Sequence, residues 1–234
     1  MKDKDTMIKK FTEKIANTWV DRKAHWFYGS FEIALMRLYN DRKPLNLIKR
    51  IMKEDGEILS KPSEMIFVYH VASAQRSHEG DYAEVGVYKG ATAKLICEAK
   101  GDKHFYLFDT FGGLPEASVY DRKFAKHMFS VGPRQATKRL KKYSNIHFHN
   151  GLFPESAKSL KKKRFAFVHL DVDVYSSTKA CLEFFYHRMT RGGIILSHDY
   201  TSAEGVKKAF DDFFKNKPEG IIQLPMSQCM IVKK

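Results

Sequence analysis

A short run near the middle of the chain, residues 81–92, constrains the fold more than any other feature. It predicts a short strand with Ala83 and Val85 buried, a turn at Gly86, and a helix that begins near Gly90. Glycine suits such a turn because it accepts a positive φ and lets a ligand approach the backbone closely. The first turn of the helix offers free N–H groups to an anionic group. The run therefore predicts the first strand–loop–helix unit of a nucleotide-type pocket.

The spacing of the acidic residue and the glycines narrows the ligand. A dinucleotide-binding loop reads G-x-G-x-x-G after its strand, whereas the order here is Glu84-x-Gly86-x-x-x-Gly90. A carboxylate at the first position would repel a pyrophosphate but would attract an amino group or a sulfonium. The pattern resembles motif I of class I S-adenosylmethionine (SAM) methyltransferases, and an ordinary strand-to-helix turn is the plain alternative.

Short apolar runs alternate with helical patterns after this unit and predict an α/β domain. Such runs, bounded by turns, are typical of buried parallel strands. The further predicted strands span 104–108, 145–149, 165–170 and 194–197, and an antiparallel hairpin at 221–224 and 229–232 closes the sheet. The predicted helices span 90–100, 134–143, 155–162, 176–189 and 203–216, with Ser176 or Ser177 as a cap and a turn at 191–193.

The first 60 residues predict a helical extension or cap, and residues 61–234 predict the α/β domain. Apolar residues at spacings of three and four mark helices over 6–19, 31–39 and 45–52. An aromatic cluster lies between the first two of them: His25, Trp26, Phe27, Tyr28 and Phe31. It could line a substrate pocket, but core packing or an oligomer contact is the favoured interpretation, which leaves a homodimer open.

Composition restricts the class of protein and its partners. The net charge is +14, from 41 basic and 27 acidic residues, which would suit nucleic acid. The basic runs at 138–142 and 161–164 carry no RNA-binding signature and fit a lysine-rich surface, which argues against such a partner. No apolar run reaches the roughly 20 residues that a membrane span needs. Three distant cysteines and a charged N-terminus without a signal sequence predict a cytoplasmic protein.

Acidic residues follow three of the predicted strands. Asp109 ends the second strand, Asp171 and Asp173 follow the fourth, and Asp199 follows the fifth. In open α/β sheets, ligands bind at the carboxyl ends of the strands. Asp109 is therefore placed to accept the two ribose hydroxyls of a nucleoside, and a helix cap is its plain alternative. Carboxylates brought together at one edge would repel unless they are protonated or bridged by a cation, so a divalent metal is expected there.

Five pieces in this order resemble the macrocin O-methyltransferase family of class I SAM methyltransferases over about residues 60–234. They are 83–90, 108–116, 171–178, 192–193 and 198–200. The resemblance implies a mostly parallel Rossmann-like sheet in the order 3-2-1-4-5-7-6. It also implies SAM as methyl donor, a divalent metal, and a small hydroxylated acceptor such as a sugar or phenolic natural product.

The resemblance also implies roles for individual residues. Glu84, Gly86 and Gly90 would hold the methionine portion, Asp109 the ribose, and the segments at Thr110 and 150–152 the adenine. Asp171 and Asp199 would bind the metal, and Asp173 would be the general base. The complete predicted cofactor-binding set is Glu84, Gly86, Val87, Tyr88, Gly90, Thr92, Asp109, Thr110, Gly151, Leu152 and Asp171.

One residue departs from the family's pattern. Relatives commonly carry two aspartates before the tyrosine at 200, whereas this chain has His198 and Asp199. Mg²⁺ prefers oxygen ligands and is the favoured ion, while imidazole suits Zn²⁺, Fe²⁺ or Ni²⁺ better. His198 is therefore a candidate metal ligand, a second candidate base beside Asp173, or the mark of a metal-free enzyme, and a merely structural histidine is the plain alternative. The alternatives to a small-molecule O-methyltransferase are an RNA methyltransferase and a non-catalytic binding protein on the same fold.

Overall fold

The computed structural model describes residues 19–55, with side chains from residue 26 onward, and residues 60–234. The chain divides into two compact units, residues 1–66 and 67–234. All of the helix predicted over 6–19 except its last residue lies outside the described residues. The predicted domain boundary at residue 60 stays a prediction.

In the first unit, two helices and the start of a third surround a small apolar core. Helix α1 spans Trp19–Met36, α2 spans Arg42–Asp55, and α3 spans Pro62–Ala74. Ile33, Leu45, Ile48 and Ile51 are almost completely buried. Helix α1 continues through the aromatic cluster. The helix predicted over 31–39 is therefore the last third of a longer one, which ends at Met36.

The second unit is built on one seven-stranded sheet. Its strands are β1 (Asp81–Val85), β2 (Phe105–Asp109), β3 (Ile146–Asn150), β4 (Phe165–Leu170), β5 (Met189–Ser197), β6 (Ile222–Gln223) and β7 (Cys229–Val232). The strand order is β3-β2-β1-β4-β5-β7-β6. β7 is antiparallel to β5 and β6, and the other pairs are parallel. The predicted fold class and strand order are confirmed.

Helices cover both faces of this sheet. The remaining α-helices are α4 (Ala91–Ala99), α5 (Arg134–Leu140), α6 (Tyr175–Phe185) and α7 (Glu204–Phe214). Apolar residues of α6 and α7 pack with Val85, Phe108 and Leu170 on one face. Apolar residues of α3, α4 and α5 pack with Tyr82 and Leu107 and their neighbours on the other. Because every residue of β4 is buried, the strand is apolar almost throughout, as a central parallel strand requires.

Three local predictions differ from the structure. The helix predicted over 155–162 is a 3-10 helix, Glu155–Leu160. The helix predicted over 176–189 begins at Tyr175 and ends at Phe185, and neither serine caps it with its side chain. The turn predicted at 191–193 is an irregularity inside β5, where the pairing with β4 shifts between Phe165 and Phe167. Glycines permit such a bulge within a strand, so their presence did not end β5.

None of the described helices is long and apolar enough to span a membrane.

Candidate active site

The carboxyl ends of β1, β2, β4 and β5 meet at one edge of the sheet and carry the predicted site residues. Backbone hydrogen bonds extend the ladder one residue beyond the strands: Asp171 N donates to Val85 O and His198 N donates to Leu170 O, both at 2.9 Å. Gly86 N likewise donates to Phe108 O at 2.9 Å. The sheet itself therefore fixes where the segments at Gly86, Asp171 and His198 leave their strands.

Gly86 holds the closest approach at this edge. Its φ is +88°, and a Cβ placed on it would lie 1.8 Å from the carbonyl oxygen of Asp171. No side chain can occupy that space without moving the end of β4. Gly90 has φ +79° and precedes α4 without a side-chain cap. The predicted glycine turn and helix start thus lie where the sequence placed them.

Asp109 is bound to the glycine loop by its own carboxylate. Its Oδ2 accepts hydrogen bonds from the backbone N–H groups of Val87 and Tyr88, both at 2.7 Å, and Oδ1 accepts one from Phe111 N at 2.6 Å. A carboxylate offers about four lone-pair positions, so these three bonds leave about one for a ligand hydroxyl. Asp109 therefore shapes the loop through its carboxylate, and its role at the ribose stays a prediction.

The residues predicted around the adenine lie beside Asp109. Gly151 N donates to Asp109 O at 3.0 Å, which continues the pairing of β2 with β3. Leu152 is 49% exposed and presents an apolar side chain. Thr110 Oγ1 donates to Gly113 O at 2.9 Å and begins the glycine-rich loop. These contacts bring Thr110, Gly151 and Leu152 to the same strand ends as Asp109.

Three carboxylates gather after β4 and β5. Ligand oxygens of Asp171, Asp173 and Asp199 all lie within 4.8 Å of one another, and each residue is partly buried. Asp173 and Asp199 both have φ of +61°, a conformation that aspartate tolerates better than most residues and that clusters at functional sites. Burial, followed by the negative charges of Asp171 and Asp199, raises the pKa of Asp173 well above its ordinary value. A divalent cation would relieve this crowding.

His198 lies beside one of the three carboxylates, that of Asp171. It is 5% exposed, and its Nδ1 lies 3.8 Å from Asp171 Oδ2, which is too long for a hydrogen bond. Its Nδ1 is instead 3.0 Å from His169 Nε2, and its Nε2 is 3.1 Å from Gln228 Nε2. Both ring nitrogens thus lie within hydrogen-bond distance of buried side chains. The predicted roles of His198 as metal ligand or base stay predictions.

Glu84 contacts His169, the same residue that His198 contacts. Its side chain is completely buried, and Oε1 is 2.9 Å from His169 Nδ1. Burial raises the pKa of Glu84 well above its ordinary value, although a hydrogen bond from the side chain of Thr92 lowers it in part. Burial and then His198 lower the pKa of His169. Glu84 Oε2 is buried and has no hydrogen-bond partner, as expected of an oxygen that faces a ligand or stores strain.

The sequence predictions overlooked three residues at this edge. His169 stands inside an apolar strand, where a lone polar residue was itself a signal. Gln228 lies in the loop before β7 and gave no local signal. Asp121 lies in the loop between β2 and α5, and is 2% exposed. Its Oδ1 accepts the N–H of Tyr175 at 2.9 Å, so it supplies the cap of α6 that was predicted for a serine.

Asp121 also fixes the loop between β2 and α5. Its Oδ2 accepts hydrogen bonds from both N and Oγ of Ser118. Lys123 Nζ donates to Ser202 O at 2.9 Å, and Ser202 Oγ donates to Asp199 Oδ1 at 2.5 Å. The loop is thereby joined to the segment that carries Asp199.

Comparison with known proteins agrees with this architecture. The sequence profile of the Macrocin-O-methyltransferase (TylF) family matches residues 69–229. The 8-demethyl-8-(2,3-dimethoxy-alpha-L-rhamnosyl)-tetracenomycin-C 4'-O-methyltransferase of Streptomyces olivaceus is 26% identical over 151 residues, 57% of this chain and 58% of that protein. The match thus spans less than two thirds of that relative's length.

Two solved structures are similar to this chain. The O-methyltransferase NovP is 19% identical with a TM-score of 0.66, covering 90% of this chain and 99% of that one. The O-methyltransferase from Bacillus cereus, solved in complex with SAH (S-adenosylhomocysteine), is 12% identical with a TM-score of 0.61, covering 90% of this chain and 100% of that one. At these identities the likeness establishes the fold alone.

Proposed function

Because the chain belongs to the macrocin-O-methyltransferase (TylF) family, we propose that it transfers the methyl group of SAM to a hydroxyl of a small molecule. The acceptor class is a sugar or phenolic natural product, in keeping with the rhamnosyl-tetracenomycin O-methyltransferase it resembles. One observation carries the proposal: three carboxylates after β4 and β5 stand at the same sheet edge as the glycine loop of β1. This edge joins a nucleoside-type loop to a site for activating a hydroxyl.

SAM fits the loop and the residues around it. Gly86, with its positive φ, turns the loop tightly against the end of β4, and Asp109 binds the ribose with its remaining acceptor position. Glu84 lies two residues before Gly86 with its Oε2 buried, and a cationic methionine end beside that oxygen would favour the ionised carboxylate. Leu152 and Thr110 flank the adenine. Val87 and Tyr88 act through their N–H groups, which hold Asp109 in place.

The carboxylate cluster fits a divalent metal, and its donors suit Mg²⁺ or Mn²⁺. All three candidate ligands are hard oxygen donors, which these ions prefer over imidazole. Asp171 and Asp199 would hold the ion. When bound, it would lower the pKa of an acceptor hydroxyl and orient the oxygen.

The residues of the chain account for the remaining chemistry. SAM supplies a methyl group on a sulfonium, and the acceptor O–C bond forms as the S–C bond breaks, leaving SAH. Asp173 accepts the hydroxyl proton, a general-base contribution of typically ~10²–10⁴-fold. The loop fixed by Asp121 and the segment after Asp199 align the acceptor, and such positioning can be worth ~7–11 kcal/mol.

A second copy of the chain is the partner that we propose for α1. Phe27, Phe31, Leu35 and Leu38 lie four, four and three residues apart and are 74%, 55%, 49% and 71% exposed. They form a stripe along the helix and onto the turn that follows it, here called the apolar stripe. Contiguous apolar surface of this kind on a monomer is typical of an interface.

The test of the proposed function is binding followed by turnover. Calorimetry should detect SAH binding to the wild type and a loss of at least about tenfold for Asp109→Ala. Glu116→Ala, at an exposed position that forms an ion pair with Lys126, is the matched control and should bind as the wild type does. A panel of hydroxylated sugars and phenols, read out by SAH formation, then identifies the acceptor class. A wild type that neither binds SAH nor forms it with any acceptor would refute the proposal.

The metal is tested in the same assay. After treatment with EDTA, Mg²⁺, Mn²⁺, Fe²⁺, Ni²⁺ and Zn²⁺ are added back singly. We expect Mg²⁺ or Mn²⁺ to restore turnover, and Asp171→Asn and Asp199→Asn to abolish the response. Full turnover of protein shown to be metal-free would exclude the metal, and SAH binding unaffected by EDTA would keep that result separate from the cofactor site.

A further inference from the structure

Four buried side chains form a continuous hydrogen-bonded chain across the active-site edge of the sheet. It begins at Glu84 in β1 and passes to His169 in β4. From there it continues to His198, which follows β5, and ends at Gln228, which precedes β7. The successive distances are 2.9 Å, 3.0 Å and 3.1 Å. None of the four is more than 5% exposed, so the order of donors and acceptors in this chain is set by the protein and not by solvent.

The chain has one consistent direction. The amide nitrogen of Gln228 is a donor only, so His198 Nε2, which faces it, accepts. His198 then carries its proton on Nδ1 and donates to His169 Nε2. His169 in turn carries its proton on Nδ1 and donates to Glu84 Oε1. Each ring nitrogen in this arrangement meets a complementary partner, which is what buried polar groups require.

The position of this chain relates it to the methyl-donor site. Glu84 lies two residues before Gly86, and its Oε2 has no hydrogen-bond partner among the described residues. The bond from His169 fixes Oε1 and thereby the orientation of the whole carboxylate, including the oxygen that is left over. His198 follows a strand end next to Asp199, and its ring is held perpendicular to that of His169, at 86°.

We propose that His169 and Gln228 are positioning residues, which set the tautomer of His198 and aim the carboxylate of Glu84 at the cationic end of the methyl donor. This rests on the proposed function for the ligand, but the direction of the chain is a property of the protein alone. Gln228 is joined to Glu84 through two imidazoles, so an effect of Gln228 on methyl-donor affinity is the distinctive consequence.

The decisive variant is Gln228→Glu, which keeps the size of the side chain and replaces its donor by an acceptor. His198 must then present Nε2–H to residue 228, which leaves Nδ1 to accept from His169. His169 is left with a bare Nδ1 facing Glu84 Oε1, so that two acceptors oppose each other. An opposed buried pair of this kind is costly, and Glu84 must turn away.

We expect Gln228→Glu to weaken SAH binding by at least tenfold in calorimetry. Gln228→Leu, which removes the donor without imposing an acceptor, should weaken it by less than threefold. Gln223→Glu is the matched control, because it makes the same chemical change at an exposed position in β6, and it should bind SAH as the wild type does. Equal affinities for Gln228→Glu and wild type overturn the proposal.

A spectroscopic readout separates positioning from general damage. Nitrogen-15 spectra of labelled histidines in the wild type should show both His169 and His198 protonated at Nδ1 and bare at Nε2, the assignments being made with His169→Asn and His198→Asn. An Nε2-protonated His198 in the wild type would overturn the proposal even if Gln228→Glu failed to fold. If the wild type shows the expected tautomers but binds no SAH, the proposed function fails. The direction of the hydrogen bonds from Gln228 to Glu84 is then still supported.

Discussion

At the scale of single residues, the sequence was informative wherever position along a strand decided the role. Asp171, Asp173 and Asp199 could be placed at one site because the carboxyl ends of parallel strands meet at one edge. The orientation of His198 could not be predicted, because it depends on His169 and Gln228, which are 29 and 30 residues away along the chain. A polar residue in an apolar strand indicates a buried partner but does not say which one.

Gly86 should be the least replaceable residue of the loop. Gly86→Ala combines a positive φ, which costs a side chain ~1–2 kcal/mol, with a Cβ 1.8 Å from Asp171 O. We expect the free energy of unfolding to fall by at least about 2 kcal/mol and SAH binding to be lost. The control is Gly132→Ala, since a Cβ there meets nothing within 4 Å. Urea unfolding and calorimetry on both variants decide the matter, and a Gly86→Ala protein that binds SAH normally would contradict the geometry.

Glu219 should make stability depend on acid pH. It is 3% exposed; burial opposes its ionisation, but hydrogen bonds from Lys233, Tyr186 and Lys234 N outweigh burial and lower its pKa from 4.5 to about 2. The unfolded chain therefore binds the proton first as pH falls. The stabilisation is complete above about pH 4.5 and is lost between there and about pH 2; at 1.36 kcal/mol per pKa unit it is at most about 3 kcal/mol.

The measurement is the free energy of unfolding of wild type and Glu219→Gln across that range. Many other carboxyl groups titrate in the same window, so the difference between the two proteins carries the information. That difference should be largest near neutral pH and should shrink as the pH approaches 2. A difference that stays constant with pH would show that Glu219 is not held ionised by its partners.

At the scale of elements, the type and order of the strands followed from the alternation of apolar runs and helical patterns. The residues at which helices and strands begin and end were predicted less accurately, because contacts from elsewhere in the chain determine them. β5 continues through Gly192 and Gly193 because its neighbour β4 accommodates a register shift. Helix α6 begins at Tyr175 because Asp121, from a distant loop, accepts its first N–H. Neither contact can be predicted from the residues next to it in the sequence.

Asp121 should therefore stabilise both α6 and the loop between β2 and α5. Asp121→Ala removes the acceptor for Tyr175 N and for Ser118, and the loss of a helix cap typically costs ~0.5–2 kcal/mol. We expect faster hydrogen exchange at the Tyr175 amide and reduced methyl transfer with unchanged SAH affinity. Glu116→Ala, in the same loop but exposed, is the control. Exchange at Tyr175 that is no faster in Asp121→Ala than in the control would refute the capping role.

At the scale of the whole molecule, the net charge suggests a nucleic-acid partner, whereas the exposed apolar surface suggests a second copy of the chain. The net charge of +14 gave the nucleic-acid alternative, but membership of the family and the carboxylate cluster at the strand ends favour a small acceptor. The aromatic cluster was interpreted as core or as an oligomer contact. Trp26, Phe27, Tyr28 and Phe31 are each at least 47% exposed, so the core interpretation does not hold for these four residues.

The apolar stripe of α1 should hold two copies of the chain together. A helix with apolar residues on opposite sides is stable in water only when both sides are covered; here Ile33 is buried, at 3% exposure, while Phe27 and Phe31 are exposed. We expect the wild type to sediment as a dimer, and Phe27→Glu with Phe31→Glu to shift it to a monomer with its circular dichroism spectrum intact. Lys49→Glu, an exposed change of charge on α2, should leave the dimer unchanged. A wild type that is monomeric at all accessible concentrations would exclude the second copy and leave the acceptor as the remaining candidate for this surface.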